Sequence, residues 1–164
     1  MSKLYILVAV VLIIVGVFAI FKGKGGSEET RAKYQYRRKQ FFMNRAEHEF
    51  YDKLVQAVGN EYYIFAQVHF PTVLDHTIKG QVWRAALAHI NRKSVDFVLC
   101  DKAYISPKLA IELDGSSHER EDRKERDEEV ERILEEAKMP LLRLKNNNGL
   151  TTDELRERIK KEVR

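Results

Sequence analysis

KLAIELDGSSHEREDRKERDEEVERILEEAKMPLLRLK, residues 108–145, opens with strand-like residues and places two acids, Glu112 and Asp114, where the strand should be finishing. On a β-strand successive side chains point to opposite faces. Leu109, Ile111 and Leu113 therefore share one side, and Ala110, Glu112 and Asp114 the other. Carboxylates on a buried strand need a partner, because an uncompensated buried charge is very costly, and the expected partner is a cation. A helix follows from about Asp122 to Ala137, where Val130, Ile133, Leu134 and Ala137 recur at i, i+3, i+4, i+7. Winding that face toward its N-terminus brings up Arg123 and Arg126, with Asp127 at its margin, over the strand end that carries the acids. PLLRL, residues 140–144, then reads as a short strand.

Upstream, a helix is expected from about Asn44 to the Gly59-Asn60 stop, with Phe50, Leu54, Ala57 and Val58 as its apolar stripe. Glu47 extends that stripe by one turn, whereas Glu49 points to solvent. YYIFAQVHF, residues 62–70, is aromatic and β-branched and reads as a strand stopped by Pro71. A short helix fits QVWRAALAHI, residues 81–90. SVDFVLCD, residues 94–101, is a second strand, and residues 151–163 form a closing helix with Leu155, Ile159 and Val163 inward. The order is α-β-(insert)-β-β-α-β-α.

Asp96 lies between apolar residues in the middle of the second strand, where a lone Asp is unfavourable. Together with Glu112 on a neighbouring strand it offers oxygen ligands to a hard divalent cation such as Mg²⁺ or Mn²⁺. Such an ion polarises phosphates and generates hydroxide from water, the chemistry of phosphodiester hydrolysis. Asp96 could instead cap a turn or pair with an arginine. Asp114-Gly115 also reads as a turn signal, and Arg126 and Asp127 as part of a solvated charge run.

At the N-terminus, LYILVAVVLIIVGVFAIF, residues 4–21, carries no charge over 18 residues. As a helix it would span about 27 Å, near the roughly 30 Å of a bilayer core. A cleaved signal peptide is the rival reading, but AIFKGKGG offers no clear small-residue cleavage site. Lys22, Lys24, Arg31, Lys33, Arg37, Arg38 and Lys39 follow the run and only Lys3 precedes it. The expectation is a single-pass anchor in the inner (cytoplasmic) membrane with the following domain facing the cytoplasm. Residues 1–22 are then the transmembrane anchor, 23–43 a basic juxtamembrane linker, and 44–164 the domain.

Residues 1–43 hold 8 Lys and Arg against 2 Asp and Glu, so the chain totals of 29 and 25 leave 21 against 23, a net −2, for the rest. The basicity thus belongs to the linker, where anionic lipid headgroups are a fitting partner. Tyr34, Tyr36, Phe41 and Phe42, interleaved there, suit an interfacial segment or stacking on bases. The single cysteine, Cys100, excludes an internal disulfide and sits in an apolar run as a core residue.

The order α-β-β-β-α-β, with Asp96 and then IELDGSSH over residues 111–118, resembles the PD-(D/E)XK, or restriction-endonuclease-like, superfamily. AIELDGSSHEREDRKERDEEVERILEEAKMPLLRL is more similar still to a bacterial domain-of-unknown-function branch of that superfamily and to the very-short-patch repair endonucleases. The resemblance covers roughly residues 44–143. It implies a mixed sheet flanked by helices, with Asp96, Glu112 and the Leu113 carbonyl as metal ligands. Glu47 matches the first-helix acid that positions water, His118 a histidine near the scissile phosphate, and Arg126 and Asp127 the polar pair on the following helix. Asp114 stands where the superfamily has its lysine, so another basic group, Arg126, Arg123, Lys124 or His118, would have to serve. The implied function is a membrane-anchored, Mg²⁺-dependent DNA nuclease. The alternatives are a catalytically degenerate, membrane-tethered nucleic-acid-binding module or an interaction protein using its acidic helix.

Overall fold

The computed structural model describes residues 13–14, 34–114, 121–145 and 149–163. The chain divides into two units, residues 1–39 and residues 40–164. In the first, Ile13 and Ile14 are helical. The remainder of the apolar run 4–21 lies outside the described residues, as do Lys22, Lys24, Arg31 and Lys33. Among the described residues no helix is long and apolar enough to cross a membrane.

The second unit begins with α1 (Arg45–Val58), whose start is fixed by a reciprocal cap. Asn44 Oδ1 accepts the Glu47 amide at 2.9 Å, and Glu47 Oε2 accepts the Asn44 amide at 2.8 Å. Two otherwise unsatisfied helix donors are thereby bonded, and replacing such a cap by alanine typically costs about 1 kcal/mol. Phe50, Leu54, Ala57 and Val58 are buried, and Glu49 is exposed in an ion pair with Arg45, as the apolar stripe requires. β1 (Tyr62–His69) stops one residue earlier than the aromatic run suggests. Phe70 and Pro71 open a one-turn helix, α2 (Phe70–Val73), because proline suits the first turn of a helix, where its missing N–H costs nothing. α3 (Trp83–Ile90) occupies the end of the insert, and β2 (Ser94–Asp101) and β3 (Pro107–Asp114) follow.

α4 (Glu121–Glu136) then crosses to β4 (Leu141–Lys145), and α5 (Thr152–Glu162) closes the chain behind a second reciprocal cap between Thr151 and Glu154. The four strands form one mixed sheet in the order β1-β2-β3-β4. β1–β2 and β2–β3 are antiparallel, and β3–β4 is parallel. The parallel pair is why a whole helix must intervene between β3 and β4.

The strand alternation sorts the core into two clusters. Phe97, Leu99, Leu109, Ile111, Leu142 and Leu144 pack with Phe50 and Leu54 of α1 and Leu155 and Ile159 of α5. Val98, Cys100 and Ala110 pack on the other side with Ile90 of α3 and with Val130, Ile133 and Leu134 of α4. Arg156 Nε donates to the Ala57 carbonyl at 2.8 Å, tying α5 to a carbonyl near the C-terminal end of α1. Ala137 lies beyond the last turn of α4 and is exposed rather than inward.

Candidate functional site

Asp96 and Glu112 come together through register. Phe97 pairs with Ile111 across β2 and β3, and Asp96 Oδ2 accepts the Leu113 amide at 2.8 Å, which holds Asp96 beside the Glu112-Leu113 step of β3. Glu112 in turn pairs with Arg143 across the parallel β3–β4 ladder. On the far side, Ala66 pairs with Phe97 and Val68 with Val95, which leaves Gln67 opposite Asp96 without a ladder pairing. Gln67 has a φ of 53°, left-handed backbone that ordinary residues rarely adopt and that breaks the alternation of β1. Gln67, Asp96, Glu112 and Arg143 thus form one polar row across the four strands.

Alternation places Glu112, Asp114 and Arg143 on the α4 side of the sheet. The Arg143 guanidinium is the hub. Nη2 lies 3.1 Å from Glu112 Oε2 and donates to the Asp127 carbonyl at 3.0 Å, and Nη1 lies 3.5 Å from Asp114 Oδ1 and 3.7 Å from Asp127 Oδ2. Nε is 2.8 Å from Glu131 Oε1, close in charge but not aligned as a hydrogen bond. Among the described residues one cation therefore faces four carboxylates, with the Glu112 and Asp114 side chains only 17% and 11% exposed.

Burial is the first reason that Glu112 is pushed up to about 7 from the ordinary glutamate value. The charge of Arg143 opposes that shift, and those of Asp96, Asp127 and Asp114 add to it. Asp96 is likewise raised, first by burial, then by the charges of Glu47 and Asp114. The Leu113 amide, which donates to Asp96 Oδ2 at 2.8 Å, works the other way. Glu47 thus serves the α1 cap and also stands close enough to Asp96 for their charges to repel.

Of the residues singled out from sequence, Asp96, Glu112, Asp114 and Asp127 are gathered here, with Leu113 bonded to Asp96 through its amide and Glu47 alongside. Arg126 is exposed on α4, lining a surface hollow with Glu125, Glu128, Glu129 and Arg132. It is not among the groups that contact the strand acids. His118 lies outside the described residues, and so do the side chains of Arg123 and Lys124.

Arg143, Glu131 and Gln67 were not singled out from sequence, although Arg143 carries a legible signal. An arginine inside PLLRL is as incongruous in a buried strand as an aspartate inside VDFVL, and the same cost argument applies to it. Gln67 left no signal, because its backbone conformation comes from a pairing lapse with a distant strand.

Mg²⁺ is held by oxygen and usually takes one or two carboxylates, keeping water for its other positions. Asp96 and Glu112 provide such a pair, and a cation would relieve charges that burial penalises. Among the described residues no group of three or more His, Cys, Asp or Glu side chains is arranged to hold a metal.

The family described as protein of unknown function, DUF2726, matches residues 19–163. The chain belongs to the DUF2726 family. No curated protein and no solved structure matches it. In this DUF2726 chain the match takes in the polar row, α4 and all of α5.

Proposed function

We propose that this chain is a Mg²⁺- or Mn²⁺-dependent nuclease that hydrolyses phosphodiester bonds of DNA on a restriction-endonuclease-like α-β-β-β-α-β core. The observation that carries this reading is the polar row. Asp96 and Glu112 are adjacent on two central strands, and both are raised by burial at the end of the sheet where further acids collect. Evolution of a stable core alone gives no reason to set carboxylates side by side where charge is penalised.

Asp96, Glu112 and the Leu113 carbonyl would hold the ion, which when bound supplies polarisation of a phosphodiester oxygen and acidification of water. Glu47, fixed by its bond to the Asn44 amide, orients the attacking water. Asp114 and Asp127 hold Arg143 in place. Arg143, with Arg126 and His118 as further candidates, supplies the cation that the superfamily draws from the position of Asp114. The uncharged run 4–21 and the basic residues after it support a single-pass anchor in the inner membrane, with the domain in the cytoplasm and anionic lipid at the linker.

The full-length chain in non-ionic detergent, incubated with single-stranded, nicked and duplex DNA and Mg²⁺ or Mn²⁺, is expected to cleave, and Glu112→Ala to be inactive. Cleavage that survives Glu112→Ala would exclude this site.

One observation favours a second reading. Arg143 already gives Glu112 and Asp114 a cationic partner, which suits a degenerate, membrane-tethered binding module. Such a module would be inactive with every divalent ion, and its melting temperature would not rise when the ion is added.

A further inference from the structure

The segment between β1 and β2 differs in charge from the domain around it. Residues 70–93 contain Lys79, Arg84, Arg92 and Lys93 against one acid, Asp75, which is bonded to Thr77, within a domain that is net negative. Lys93 is committed, 3.0 Å from Glu129 and bonded to the His89 carbonyl. Lys79, Arg84 and Arg92 are exposed and have no ion-pair partner among the described residues. Between them, Trp83 is 49% exposed beside Val82 at 71% and Ile78 at 61%. The Arg84 guanidinium lies 5.2 Å from the centroid of the Trp83 ring.

Topology brings this surface to the polar row. His69 pairs with Ser94, so the segment leaves and re-enters the sheet at the end where β2 begins, two residues before Asp96, and where β3 finishes with Glu112 and Asp114. Asp96 follows Lys93 by three residues.

We propose that residues 76–93 form a binding surface for single-stranded DNA, with backbone phosphates at Lys79, Arg84 and Arg92 and an unpaired base stacked on Trp83. Unpaired cations attract a polyanion, and an exposed indole offers every base a stacking partner. Stacking favours the single strand over the duplex, since a base stacked between its neighbours in a duplex has no free face for the indole. The choice of DNA as partner rests on the function proposed above.

Trp83 is the sole tryptophan, so its fluorescence reads this surface directly. A 20-nucleotide oligo-dT added to the full-length chain in non-ionic detergent, with EDTA present, is expected to quench it. With a labelled oligonucleotide, Trp83→Ala should weaken affinity on the order of 5- to 100-fold. Lys79→Ala/Arg84→Ala/Arg92→Ala should flatten the slope of log affinity against log salt by about 2. Unchanged melting temperatures would confirm that these exposed changes leave the fold intact.

Unquenched Trp83 fluorescence, or an unaltered salt slope in the triple variant, would overturn the proposal. Quenching by phosphatidylglycerol vesicles but not by oligo-dT would overturn it in favour of a lipid surface. Oligo-dT binding without cleavage in Mg²⁺ would leave this surface standing and sink the nuclease reading. Cleavage with no Trp83 response would do the reverse.

Discussion

On one side of the sheet, Phe97, Leu99, Leu109 and Ile111 are fully buried among Phe50 and Leu54 of α1 and Leu155 and Ile159 of α5. On the other side the same two strands carry Val98, Cys100 and Ala110 under α3 and α4 and then, toward one end of the sheet, give way to the charged groups of the polar row. The first side is held by dispersion and loss of apolar surface from water, which neither pH nor salt alters much. The second is held partly by one guanidinium among four carboxylates, whose worth depends on protonation. A single sheet thus has a face specialised for stability and a face whose end gathers charged groups.

Substitutions on each face should break this contrast in opposite ways. The largest expected effect is Phe97→Ala, which removes a ring packed 5.5 Å, centroid to centroid, from that of Phe50. It should cost about 3–5 kcal/mol, equally at pH 5 and pH 8, by urea denaturation. Arg143→Met should cost about 3 kcal/mol, because it strands buried Glu112 without a cation. That loss should be larger at pH 8 than at pH 5, where Glu112 holds a proton. A loss equal at both values would mean that Arg143 acts only by packing.

Glu112→Gln should move stability the other way. Between the ordinary glutamate value of 4.5 and the folded value of about 7, the native state keeps a proton that the unfolded chain has released. Wild-type stability therefore declines as pH rises through that window. In EDTA the glutamine variant should exceed wild type above pH 7 by up to about 3 kcal/mol, and the difference should vanish below pH 4. Adding Mg²⁺ should raise the melting temperature of wild type and leave the variant unmoved. A wild type as stable at pH 8 as at pH 4, in EDTA, would refute the burial argument for Glu112.

The smallest effect is Asn44→Ala, about 1 kcal/mol from loss of the cap. The backbone amide at position 44 still donates to Glu47 in that variant, so in the proposed nuclease cleavage should hardly change, whereas Glu47→Gln should slow it. Unchanged cleavage in Glu47→Gln would confine Glu47 to the cap.

The elements themselves were legible because they depend on short-range periodicity. The stripe of Phe50, Leu54, Ala57 and Val58, the alternation through Leu109, Ala110 and Ile111, and the i, i+3, i+4 run of Val130, Ile133 and Leu134 all bury as their spacing requires. So was the need for a cation beside Glu112 and Asp114, since it follows from the cost of a buried charge. Which cation it is could not be read locally. A helical phase counted from Val130 favours Arg126, yet Asp127 is the residue turned toward the strands, one position and about 100° further round the helix. The cation comes instead from β4, more than thirty residues beyond Glu112, through a parallel register that no local pattern encodes. Gln67 is set opposite Asp96 in the same way, by the register of neighbouring strand pairs about which the strands' own sequences are silent. The sequence by itself determined where strands and helices form and which acids are out of place in them. Tertiary structure decided which groups answer those acids, because strand pairing brings together residues whose separation along the chain carries no periodic signal.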